Sequence, residues 1–244
     1  MKTWFDEGVK KLGVLKGEGF VGSLRRGPTG IVHTLESKLD LEGNKLSAPF
    51  FGDLELKAVR AGGASNRLIT LFTYDREVWR VDKSTLIRDY GVRDNNYPER
   101  INLHTTVQSN SRGVFRLTVG KKQVCLVTPE GNIVATWVYE ELLRRIREKV
   151  RHFILVQAQS NIDIGGVEQY WYNKATLHTG CLFSWHLSDL FKEGVLLIDL
   201  RMHLKNNRVR NHGTVFRIKE SDLTRLFPNE VELPLDYFLL DVHS

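Results

Sequence analysis

The chain has 244 residues, of which 41% are apolar and 26% charged, with a formal net charge of +6. This length and balance suit one large domain or two small ones and exclude a disordered chain. No apolar run approaches the ~20 residues that span a bilayer. The N-terminus lacks a signal-peptide core, and Cys125 and Cys181 offer neither metal spacing nor a disulfide framework, so the expected location is cytoplasmic.

Residues 3–16 carry Trp4, Phe5, Val9, Leu12 and Leu15 at helical spacing. A glycine-rich connector follows from Gly17 to Gly30. Within it, Arg25-Arg26-Gly27-x-Thr29-Gly30 stands ahead of a helix, where backbone amides and arginines can meet phosphate. That helix runs from about Thr29 to Leu41, with Leu35, Leu39 and Leu41 inward and Glu36 beside them.

Residues 51–59 read as a strand. Its period of two puts Asp53, Glu55 and Lys57 on one face and Leu54, Leu56 and Ala58 on the other. Ala61 to Asn66 looks like a hairpin turn leading to a buried strand over 67–74. A short helix over 82–90 has Asp82 or Ser84 as cap. Strands at 101–107, 113–119, 123–127 and 132–137 suggest an antiparallel meander, followed by a helix over 139–149 and a core strand over 153–158.

Tyr170-Trp171-Tyr172 suits sheet packing better than base stacking. A helix over 183–192 stops at Gly194. The strand 195–204 puts Asp199, Arg201 and His203 on one face. A basic loop, Lys205-Asn-Asn-Arg208-Val-Arg210, then leads into a returning strand over 211–218. It lacks acidic partners, unlike Arg144-Arg145-Ile-Arg147, which Glu140, Glu141 and Glu148 intersperse. A basic loop on a sheet is what a phosphate backbone or base edge would meet. A short helix over 220–226 and an edge strand or extended arm over 232–242 complete the chain.

Glu36, Asp53, Glu55 and Lys57 together make a carboxylate cluster with one ammonium. Hard cations such as Mg2+ take carboxylate oxygens, keep waters and bridge to phosphate. The chemistry that needs this set is phosphodiester hydrolysis. Glu-x-Lys alone also arises by chance on any solvated strand face, so the triplet gains meaning only from its companions.

The order Arg26-Gly-x-Thr-Gly30, Thr34-x-Glu36, Ala48-Pro49, Asp53-x-Glu55-x-Lys57 resembles the MvaI/BcnI restriction endonucleases, relatives of the mismatch-repair nickase MutH. Leu71-Phe-Thr73, Asp199-Leu-Arg201 and His212-Gly-Thr-Val-Phe-Arg-Ile218 continue the resemblance over nearly the whole chain. It implies an α/β fold: a PD-(D/E)XK nuclease core with a central mixed sheet flanked by helices, plus a DNA-recognition lobe. It implies a single restriction endonuclease domain over 1–244, with a catalytic lobe at about 1–75 and 137–158 and a recognition lobe at about 76–136 and 159–244. A cleft between the lobes would hold the duplex.

By the same resemblance the protein is a monomeric, Mg2+-dependent type II endonuclease that nicks each strand of double-stranded DNA in turn at a short, GC-flanked site. A cognate DNA methyltransferase would be its genetic partner, not a physical one. Glu36 would orient the site, Glu55 would ligate metal, and Lys57 would act on the attacking water. Asp199 and Arg201 would read bases in the major groove, with His212 and Arg217 reading from the neighbouring strand and His203 on the same face. Arg25, Arg26, Thr29, Arg208 and Arg210 complete the expected DNA contacts. One departure stands out. The family's usual metal-binding aspartate after Ala-Pro is Phe50 here, and Asp53 is the expected replacement as second metal ligand. The alternatives are a MutH-like nickase and a DNA-binding protein with an impaired centre.

Overall fold

The computed structural model describes residues 2–39, 54–62, 67–111, 113–181 and 186–238. In chain order the elements begin with α1 (Lys2–Gly17), β1 (Val21–Gly22), α2 (Gly30–Lys38), β2 (Leu54–Arg60) and β3 (Leu68–Thr73). Next come α3 (Lys83–Tyr90), β4 (Val92–Arg93), β5 (Arg100–Val107), β6 (Arg116–Val119), β7 (Gln123–Val127) and β8 (Ile133–Val138). Then follow α4 (Tyr139–Val150), β9 (His152–Ile162), β10 (Glu168–Thr179), α5 (Leu187–Lys192) and β11 (Leu196–Lys205). The chain continues through β12 (Arg208–Asn211), β13 (Val215–Lys219), α6 (Leu223–Leu226) and β14 (Asn229–Glu232), with single 3-10 turns at Glu220–Asp222 and Leu235–Phe238. Among the described residues no helix is long and apolar enough to cross a membrane.

Two compact units result. The first joins Met1–Ala64, Arg151–Cys181 and Phe227–Ser244; the second joins Ser65–Val150 and Leu182–Leu226. Relative to the expected lobes, β3 and α4 fall in the second unit, while β10 and β14 fall in the first.

The first unit is a mixed sheet in the order β1-β10-β9-β2, with β14 also on β10. Among the described residues only β2 and β9 run parallel, with Glu55 opposite Phe153 and Lys57 opposite Leu155. Val9, Leu12 and Leu15 of α1, Ile31 and Leu35 of α2 and its cap residue Leu39 pack on Ile154, Val156 and Ala158. Leu54, Leu56 and Ala58 of β2 join that core. Period two therefore turns Glu55 and Lys57 to the opposite face. Leu12 and Leu35 are fully buried, so truncating either to alanine costs about 2–5 kcal/mol. Tyr170 and Tyr172 are also fully buried, and Trp171 Nε1 donates to the Lys16 carbonyl at 2.9 Å. The aromatic triplet is packing.

In the second unit a six-stranded antiparallel sheet has the order β3-β13-β11-β5-β4, with β12 also on β11. Separately, β6-β7-β8 form a three-stranded meander. Two expectations change here. The meander does not include 101–107, because β5 pairs with β11 across the chain. The expected hairpin between β2 and β3 is absent too, since the two strands lie in different sheets. Leu142 and Ile146 of α4 and Leu187 and Phe191 of α5 pack on Leu71, Phe72, Leu196 and Phe216. Helix α3 starts where the Asp82 carboxylate accepts the Thr85 amide at 3.0 Å. In α4, Arg144 pairs with Glu141 and Glu148, as expected of a solvated face.

Candidate functional site

On β2 the Lys57 ammonium lies 3.4 Å from Glu55 Oε1. The lysine side chain is only 13% exposed, whereas that of the glutamate is 49% exposed. Burial pushes the Lys57 amine below its ordinary value, and the Glu55 carboxylate pulls part of the way back. Among the described residues strand β2 ends the sheet order, with β9 on one side of it. Glu36 is half-buried on α2, the helix whose apolar side packs on the other face of β2. Asp53, with the Ala48-Pro49-Phe50 segment, lies outside the described residues. Among the described residues no group of three or more His, Cys, Asp or Glu side chains forms a metal cage. The donors that are present suit a hard cation: Glu55 offers carboxylate oxygen and enough exposure for water to complete a shell.

The connector before α2 is a compact loop. A Cβ on Gly30 would stand 2.3 Å from the Arg25 carbonyl, and Gly27 has a φ of +90°. Arg25, Arg26 and Thr29 are exposed. Thr29 holds the cap position of α2 without a side-chain capping bond.

In the second unit the six-stranded sheet separates its faces cleanly. Ile198, Leu200, Met202 and Leu204 of β11 are buried. On the other face stand Asp199, Arg201 and His203, as their alternation requires. Cross-strand register sets Thr106 opposite Asp199, His104 opposite Arg201 and Asn102 opposite His203. Asp199 is buried; one oxygen accepts the Thr106 hydroxyl at 2.8 Å, and the other lies 3.2 Å from Arg217 Nε.

The expected basic loop is instead a hairpin. Asn206 and Asn207 take φ of 50° and 57°, the left-handed pair of a two-residue turn. Arg208 and Arg210 therefore sit on β12, with Arg210 opposite His203. The returning strand is correspondingly split, with residues 212–214 forming a turn between β12 and β13. His212 is exposed on that turn, its ring 5.5 Å from the His203 ring. Arg100, His203, Lys205, Asn206, Arg208, Arg210 and His212 line one basic hollow. Burial, then the charges of Arg100, His212 and Arg210, holds the His203 imidazole below its usual value. Burial and Arg100 act likewise on His104.

Arg100, Asn102, His104 and Thr106 escape a sequence reading that treats β5 as part of a meander. Their signal was the polar alternation itself, which also describes any solvated strand.

A model of the MvaI/BcnI restriction endonuclease family matches residues 9–227. The chain belongs to that family. Two solved structures of restriction endonuclease MvaI share its fold, which is of the PD-(D/E)XK type. The complex of MvaI with cognate DNA substrate is 24% identical, with a TM-score of 0.76, and the match covers 96% of this chain and 99% of that one. MvaI in the absence of DNA is likewise 24% identical, with a TM-score of 0.51, over 96% of this chain and 98% of that one. No curated protein matches.

Proposed function

We propose that this protein is a type II site-specific endonuclease that hydrolyses phosphodiester bonds of double-stranded DNA with Mg2+. It acts as a cytoplasmic monomer, nicking each strand in turn at a short GC-flanked site. The first unit carries cleavage and the second carries recognition. The observation that carries this reading is the buried Lys57 ammonium 3.4 Å from the exposed Glu55 carboxylate, in a member of a restriction endonuclease family. A lysine so buried is rare without a task.

In hydrolysis a water oxygen bonds to phosphorus, the bond to the leaving oxygen breaks, and the water gives up a proton. Lys57, in the neutral amine form that burial favours, holds the attacking water and takes up that proton. Glu55 would hold the metal through a carboxylate oxygen, and Asp53 would supply the second carboxylate in place of the aspartate that Phe50 displaces. Glu36 orients the site. Mg2+ held by these carboxylates would supply acidified water and charge neutralisation at the phosphoryl oxygens.

Recognition uses the polar sheet face. Arg201 and Arg217 suit bidentate donation to guanine, Asp199 suits acceptance from cytosine, and His203 and His212 extend the row. Arg208 and Arg210, with Arg25, Arg26 and Thr29 of the first unit, hold phosphates. A solved relative bound to its cognate DNA substrate supports DNA as the substrate. A host carrying such an enzyme needs a cognate methyltransferase as its genetic partner.

Incubation with plasmid and Mg2+ alone tests the reading. Discrete fragments are expected. Single nicks that never progress would indicate a MutH-like nickase, and shifted but intact DNA an impaired centre, the reading that Phe50 favours.

A further inference from the structure

Asp75, just beyond β3, has no part in the site described above, yet its carboxylate gathers four hydrogen bonds. One carboxylate oxygen accepts Trp79 Nε1 and the Thr214 hydroxyl, both at 2.7 Å. The other accepts Lys83 Nζ and Asn211 Nδ2, both at 2.6 Å. A carboxylate has about four acceptor sites, so Asp75 is saturated. It has no lone pair left for a metal, a base or a water.

Two of those donors, Asn211 and Thr214, bracket His212. The turn between them is clamped at each residue. Asn211 Oδ1 accepts the Gly213 amide at 2.8 Å, and the His212 amide donates to the Arg201 carbonyl at 2.9 Å. Gly213 has a φ of +87°, and a Cβ there would stand 2.2 Å from Thr73 Cγ2. The Thr214 carbonyl accepts the Tyr74 amide at 2.9 Å. With the backbone so fixed, His212 is the one side chain of the turn that lines the basic hollow.

We infer that Asp75 is a positioning residue for His212: it holds the turn so that the imidazole stands in the reading row before DNA arrives. This rests on reading that sheet face as the DNA-recognition surface. Lys83, on α3, neutralises the carboxylate and ties the turn to a helix. Burial alone would raise the Asp75 carboxyl, but the bonds from Lys83, Thr214, Trp79 and Asn211 hold it below its ordinary value, so it stays charged at neutral pH. Preorganisation of this kind lowers the ordering cost of binding.

The test is a double-mutant cycle with Asp75→Asn and His212→Ala, read as cleavage rates on a panel of single-base-pair variants of the site. Asp75→Asn should lose discrimination at the base pair where His212→Ala does, by roughly 10-fold. The double variant should be no worse than His212→Ala alone. An equal drop on every sequence, or effects that simply multiply, would overturn the inference. If Asp75→Asn does not fold, Asn211→Ala removes one clamp and is held to the same pattern. NMR of the His212 ring without DNA separates the two readings. Its signal should shift or broaden in Asp75→Asn even if the protein cuts nothing, and an unchanged signal refutes the role of Asp75 whatever the fate of the nuclease reading.

Discussion

Arg217 Nε lies 3.2 Å from one carboxylate oxygen of Asp199, and the other accepts the Thr106 hydroxyl at 2.8 Å. Three adjacent strands thus meet at one buried carboxylate, fixing the guanidinium on the polar face. Asp199→Asn preserves shape but removes the charge that holds Arg217. Discrimination at one base pair should fall by about 1–3 kcal/mol, measured as relative cleavage of substituted sites. Should the preference survive while the melting temperature alone drops, the pair is a structural brace and not part of the reading row.

Lys57→Ala should reduce cleavage by at least about 100-fold, the range of general acid–base contributions, with DNA affinity nearly unchanged. Filter binding without metal and single-turnover cutting with Mg2+ measure the two quantities separately. Lys57 turns to the face of β2 opposite the one that Leu54, Leu56 and Ala58 pack on the α1–α2 core, so the fold should tolerate the change. Full activity in this variant would remove Lys57 from the mechanism.

The faces of single strands were legible in the sequence, because period two is a local property. Glu55 with Lys57, and Asp199 with Arg201 and His203, share faces as their spacing demands. Partnership between strands was not legible. The alternation of Asn102, His104 and Thr106 fits a meander as well as it fits the actual pairing with β11. Ala61-Gly-Gly has turn chemistry, yet its flanking strands enter different sheets. Asn206-Asn207 carried a usable signal for a tight hairpin, since asparagine tolerates positive φ. Asp75 carried none: two of its four donors come from 136 and 139 residues away.

His104 and His203 set a pH dependence. Both have an ordinary value of 6.5 that the fold lowers, so between 6.5 and their folded values the unfolded chain binds more protons. Stability should therefore be unaffected by these residues above pH 6.5 and should fall as pH drops below it. Thermal unfolding from pH 7.5 to 5 should show that loss, and His104→Gln with His203→Gln should flatten the slope. The depressed Asp75 carboxyl, ordinarily at 3.8, acts separately. Its contribution is intact above that value and is lost only as pH falls further, through its lowered folded value. An unchanged slope in the double histidine variant would mean that the acid sensitivity lies elsewhere.

Arg201 and Arg208 lie on one sheet but should fail differently. Arg201 is half-buried, opposite His104 in the middle of the polar row. Arg208 is exposed, just past the Asn206-Asn207 turn. Arg201→Ala should cost about 1–3 kcal/mol at one base pair and leave the salt dependence of binding almost untouched. Arg208→Ala should weaken all sequences alike and lower the slope of log K against log salt by about 1, the signature of one lost phosphate contact. Titrating cognate and scrambled duplexes between 50 and 200 mM salt, roughly the range over which counterion release dominates, decides both. If Arg201→Ala instead reduced the salt slope and spared specificity, its guanidinium would be gripping the backbone, and base reading would have to shift to Arg217 and the histidines beside it.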